Sequence, residues 1–209
     1  MEKSVIENLT TPTMEKIRES LVKKDKKKAI EMINELANET KKTNYLVTNW
    51  IWLLLTFIAN NHGEGKVIEA LTYKNRLQDP LCEEIVNAPD EKKIGSLASL
   101  MHAQFSEVAI EEDDAKFTIK LNPCGMAGRM RREGLDKEST NLRNTSKGYD
   151  WSWGKKEVSY YCAQCYLISN ILKNSKSKLE KVVINCPTAS DEPCHWYVYK
   201  TKNEKAKIR

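Results

Sequence analysis

Five of the six cysteines in this chain lie in its second half, at Cys124, Cys162, Cys165, Cys186 and Cys194, and only Cys82 comes earlier. Thiolates are nucleophiles and soft-metal ligands, so such a gathering marks where covalent or metal chemistry would be done. Cys162-Ala-Gln-Cys165 is a Cys-x-x-Cys pair. On a helix its two sulfurs share one face, and near a helix N-terminus the positive end of the dipole favours the thiolate. Cys124, Cys162, Cys165 and Cys194 make a candidate ligand set for zinc or iron, with His195 as the alternative to Cys194. A metal-free alternative makes Cys124, Cys162 or Cys194 the nucleophile and His102 or His195 its base. His195 directly follows Cys194, and adjacent strand residues point to opposite faces, so one pocket receives at most one of them. A thioredoxin-like redox pair lacks support, because no strand leads straight into Cys162.

The stretch Asn122-Pro-Cys-Gly-Met-Ala-Gly-Arg-Met-Arg-Arg-Glu133 sets Cys124 beside three arginines. Arg pairs bidentately with carboxylate or phosphate, and Arg129 and Arg131 would share a face if the segment were extended. Gly125 and Gly128 allow a tight turn that presents N–H groups to an anion. The Gly-Lys-Ser/Thr of a phosphate loop is missing, as is any Gly-x-Gly-x-x-Gly, so no nucleotide cofactor is expected. Aromatic residues crowd the same half of the chain. Trp151, Trp153 and Tyr161 are candidates to line a small-molecule pocket, the two tryptophans as a lid over it.

These residues need elements to hold them. Residues 11 to about 104 read as helical, opening with Thr11 as N-cap and Pro12 at the first helical position. A second helix after Asp25 carries Ile30, Ile33, Leu36 and Ala37 on one stripe. A third, about 43–60, is apolar nearly all round and reads as the centre of a bundle. Shorter helices follow at about 66–77 and 91–103, with turns at Pro80 and Pro89. The period then changes to two around Val108 and Ile110, and again around Phe117, Ile119 and Leu121. That predicts a hairpin with Glu111-Glu-Asp-Asp114 at its exposed tip. A long loop runs from 122 to 157, a helix from 158 to 173, and strands close the chain at 182–184 and 195–200. The expected fold is α+β: a helical region, 1–104, packed on a cysteine-rich region, 105–209, with an antiparallel sheet, a helix and long loops.

Lys and Arg number 34 against 29 Asp and Glu, a net charge of +5 that resides in Lys-rich surfaces at 23–28 and 200–209. Such runs are ordinarily solvated faces, so a nucleic-acid partner is not expected. The longest apolar run, 50–59, is half of what a bilayer span needs, and no apolar leader follows the first residues. This points to a cytoplasmic, non-membrane protein, in which the cysteines are expected as thiols, metal ligands or catalytic groups rather than structural disulfides; the oligomeric state is not legible.

The closing segment Ile184-Asn-Cys-Pro-Thr-Ala-Ser-Asp-Glu-Pro-Cys-His-Trp-Tyr-Val-Tyr199 resembles the end of the L-2-amino-thiazoline-4-carboxylate hydrolase-like family, where a cysteine also enters a final aromatic strand after a short turn. The resemblance implies a hydrolase acting on C–N or C–S bonds, with Cys194 in its site. The residues themselves suggest a small-molecule enzyme of hydrolase or lyase type, centred on cysteine and taking a compact anionic substrate. The alternative is a zinc-stabilised binding or sensor module without catalysis.

Overall fold

A computed structural model of the chain describes residues 11–75, 85, 87–137, 143–174, 179–189 and 191–200. Cys82, the turn at Pro80 and the basic tail beyond Lys200 lie outside the described residues. The chain divides into two compact units, Met1–Thr48 and Asn49–Arg209.

In the first unit, α1 (Thr13–Val22) turns into the start of α2 (Lys26–His62). Pro12, rather than Thr11, occupies the N-cap. Lys24 takes a left-handed conformation at the corner, and the Asp25 carboxylate accepts from the Lys28 N–H to cap α2. Ile17, Ser20 and Ala29 are buried there. The expected second and third helices are one continuous helix of 37 residues. Between Lys26 and His62 there is no glycine or proline to break it, so the change in apolar pattern near residue 43 does not interrupt the backbone.

In the second unit, α3 (Gly65–Asn75) and α4 (Asp90–His102) precede the hairpin β1 (Val108–Glu112) and β2 (Lys116–Leu121). Asp113 holds the hairpin tip. Its carboxylate accepts from the Ala115 and Lys116 N–H groups, both at 2.8 Å, and pairs with Lys116 Nζ. The hydrogen bond from Lys116, then those from the two N–H groups, pulls Asp113 down to about 2. A depressed carboxylate stabilises the fold above its unfolded value and ceases to do so as pH falls through the folded one. The hairpin tip should therefore stay ordered to near pH 2, a result checked by following the Asp113 and Ala115 resonances in an acid titration.

After β2 come a short helix α5 (Ala127–Arg132), a 3-10 turn at Asp150–Ser152, another at Tyr160–Cys162, and α6 (Ala163–Asn174). Strands β3 (Leu179–Asn185) and β4 (Cys194–Lys200) complete an antiparallel sheet in the order β1-β2-β4-β3. Alternation decides its faces. Cys194, Trp196 and Val198 are buried, while His195, Tyr197 and Tyr199 lie on the opposite, half-exposed face. The buried face meets Leu97 and Met101 of α4 and Ile168 and Leu172 of α6 in one core. A second core gathers Trp52, Leu55, Ala59, Val67, Leu71, Met130, Trp151, Tyr160 and Ala163. No helix among the described residues is long and apolar enough to cross a membrane.

The segment 43–60 is not buried all round. Trp52 and Leu55 face the second core, whereas Trp50, Leu53, Leu54 and Phe57 are exposed. The expectation of a central bundle helix fails because this stretch has only one protein-facing side.

Candidate functional site

Each cysteine of the second half is delivered by a junction. Cys124 follows β2, and its carbonyl accepts from the Arg129 N–H at 2.8 Å, opening α5. Gly125 makes this turn possible. A Cβ there would lie 1.8 Å from the Gln104 carbonyl oxygen and 2.6 Å from the Phe105 carbonyl carbon, and its N–H is held by Ser106 Oγ at 2.9 Å. Since both obstacles are backbone, Gly125→Ala should lower stability by about 3 kcal/mol, read from chemical denaturation. Cys162 closes a 3-10 turn that Ser159 caps by accepting from the Tyr161 N–H. Cys165 lies one turn further, in α6. Cys186 continues the inward row Val182, Ile184 of β3, and Lys155 pins that strand end by donating to Asn185 Oδ1 at 2.9 Å and the Cys186 carbonyl at 2.7 Å.

These junctions converge. Cys162, Cys165, Cys186 and Cys194 are buried and Cys124 is half-buried, all as free thiols. The Cys162 and Cys186 sulfurs share a hydrogen bond at 3.4 Å. In their midst lies Arg131, only 5% exposed, its charge felt by the sulfurs of Cys162, Cys186, Cys124 and Cys194. Its Nε and Nη1 are buried with no hydrogen-bond partner among the described residues.

The electrostatics keep the thiols protonated. Cys162 is pushed well up, first by its hydrogen bond with Cys186 and then by burial, with Arg131 pulling the other way. Cys165 is pushed well up by burial and by the neighbouring sulfurs. Cys124 is raised by burial, against hydrogen bonds from the Gly128 and Met126 backbone. Cys186 is relieved by its bond with Cys162 yet stays raised through its bond with Cys194 and burial, and Cys194 is relieved by its bond with Cys186 yet stays raised through burial and the other sulfurs. Burial likewise raises Tyr161, whose hydroxyl lies near Cys165, Cys124 and Cys162 and stays a neutral donor. At neutral pH the nest is thus thiols around one buried cation.

Several expected site residues lie elsewhere. Residues 127–132 are helical, so positions two apart diverge instead of sharing a face. Arg131 turns to the sulfurs, while Arg129 pairs with Glu133 and donates to Asn49 Oδ1 at 2.7 Å. His102 is exposed on the last turn of α4. His195 lies on the face of the sheet opposite Cys194, stacked on Tyr197 with centroids 5.9 Å apart. Neither histidine is set against the nest as a base. Trp151 is no lid. It is 4% exposed in the second core, stacked on Tyr149 with centroids 5.3 Å apart. Trp153 is half-buried against the first core. Among the described residues no three His, Cys, Asp or Glu side chains are arranged to hold a metal ion, so the set Cys124, Cys162, Cys165 and Cys194 is not preformed.

Cys186 is the residue that sequence reasoning left out of the site. Its signal was the period-two row Val182, Ile184, Cys186, which runs inward and ends at the same edge as Cys194.

No family model matches the chain, and neither a curated protein nor a solved structure does.

Proposed function

We propose that the chain is a small-molecule enzyme in which Arg131 binds a compact anionic substrate and Cys162 reacts with it. The carrying observation is the buried Arg131 guanidinium amid protonated thiols, with Nε and Nη1 unpartnered among the described residues. A buried cation without an anion costs several kcal/mol, and a protonated thiol does not neutralise it. A carboxylate or similar anion entering the nest would be held in a fork by Nη2 together with one of the two free groups, Nε or Nη1. It would then lie beside Cys162, the thiol that Arg131 favours most directly.

With neither His102 nor His195 set against the nest as a base, the Cys162 proton leaves with the leaving group. Its sulfur adds to the electrophilic carbon as the C–N or C–S bond breaks, and the departing nitrogen or sulfur takes the thiol proton. Water then cleaves the S–C bond of the intermediate and restores the thiol. Tyr161 supplies an O–H to the developing negative charge. The C–N or C–S bond is the choice that the resemblance of the closing segment implies.

A panel of small carboxylates and oxyanions tests binding by thermal shift. A ligand present at about 100 times its dissociation constant stabilises by about 2.7 kcal/mol. The expected result is stabilisation by anions that Arg131→Met removes. Stabilisation equal in both proteins, or none by any anion, refutes the reading.

One observation favours a second reading, a zinc-stabilised module. Two thiolates on one tetrahedral zinc lie about 3.8 Å apart, and Cys162 and Cys186 are at 3.4 Å. Two further ligands would have to swing in. Elemental analysis of protein purified without chelator decides it: stoichiometric zinc, with unfolding on removal, selects the module.

A further inference from the structure

Trp50, Leu53, Leu54 and Phe57 stand on α2 at spacings of three and four residues, which places them on one helix face. They are 59%, 45%, 63% and 60% exposed. The opposite side of the same segment is used by the fold, with Trp52 fully buried and Leu55 nearly so. Scattered exposed leucines are ordinary, but a contiguous patch with Trp and Phe at its two ends marks an interaction surface. We propose that this face is the contact between two copies of the chain, helix against helix.

Three observations favour a second copy. The first is spacing: positions 50, 53, 54 and 57 reproduce the seam by which two like helices interlock knobs into holes. The second is charge. From Thr43 to Asn61 the helix carries no Asp, Glu, Lys or Arg, so two copies meet in either direction without opposing like charges. The same lack argues against a lipid surface, because an interfacial helix flanks its apolar face with Lys and Arg to meet the headgroups. The third is area. At these exposures Trp50 and Phe57 each present roughly 100–150 Å², and the leucines bring the patch to roughly 300–500 Å². Two such patches, with their rim of Asn and Thr, come near the roughly 1,000 Å² that a specific interface needs.

Equilibrium sedimentation of the full chain over a wide concentration range tests this. The expected species has twice the mass of the 24.0 kDa chain. Leu54→Glu combined with Phe57→Glu should sediment as the single chain with an unchanged far-ultraviolet circular dichroism spectrum. The milder pair Leu54→Ala and Phe57→Ala, which keeps the helix in any case, should raise the dissociation constant at least about 100-fold. A single-chain mass for the wild type at every concentration overturns the proposal, whether or not that protein binds phosphatidylcholine vesicles. A dimer that survives the alanine pair unchanged overturns it as well.

Discussion

Arg131→Met is expected to make the protein more stable and to abolish its binding of anions. The guanidinium is 5% exposed, with two nitrogens lacking partners among the described residues, so the folded state bears its desolvation without full compensation. Met has similar length and no charge. Replacing a poorly compensated buried charge by an apolar side chain of like volume typically stabilises by about 1–4 kcal/mol. Anion affinity, by contrast, should fall at least about 100-fold, because the fork that holds the ligand is gone. Stability and binding thus move in opposite directions. A guanidinium that only braced the core would lower stability when removed. Denaturant unfolding and anion titration on the same variant read both effects. Arg131→Lys keeps the charge without the planar fork and should retain only part of the affinity.

The largest loss of stability is expected at Trp196. It is fully buried on β4, the strand paired on one side with β2 and on the other with β3, and it faces the core beneath α4 and α6. Truncation to Ala removes the indole from the middle of that layer and leaves a cavity that paired backbone on both sides cannot close. The expected loss is about 3–5 kcal/mol, which lowers the thermal midpoint by about 10 °C. Trp196 Nε1 is buried without a partner among the described residues, so the indole N–H contributes nothing favourable. Trp196→Phe should therefore be far milder than truncation, about 1 kcal/mol. Scanning calorimetry of the two variants separates volume from hydrogen bonding: equal losses would mean that the indole N–H, and not its bulk, matters.

Much of this fold was legible in the sequence because its elements obey local rules. The hairpin followed from alternation around Ile119 and an acidic tip, and the two closing strands from Val182–Ile184 and His195–Lys200. The division of Cys194 and His195 between the two sheet faces followed from strand period alone. What failed was non-local. Residues 125–132 carry two glycines and three arginines, which reads as loop. The turn at Cys124 nonetheless starts a helix there, and so only one of Arg129 and Arg131 reaches the sulfurs. Trp151 lies in loop sequence with no periodicity to betray its burial, which is decided by Tyr149 and Tyr160 packed against it. The apolar run 50–59 reads as a core helix because pattern counts apolar residues without saying what covers each side.

The central claim, an anion held by Arg131 beside a reactive Cys162, is tested most directly by alkylation with iodoacetate and iodoacetamide, each mapped to individual cysteines by mass spectrometry. Both reagents leave a thioether and release iodide, and they differ in charge. For an ordinary thiol the neutral amide reacts faster. Here iodoacetate should label Cys162 at least about tenfold faster than iodoacetamide, since a bidentate Arg–carboxylate pair offsets more than 1.4 kcal/mol. Arg131→Met should restore the ordinary order. Faster labelling by iodoacetamide in the wild type, or an iodoacetate preference that survives Arg131→Met, contradicts the account.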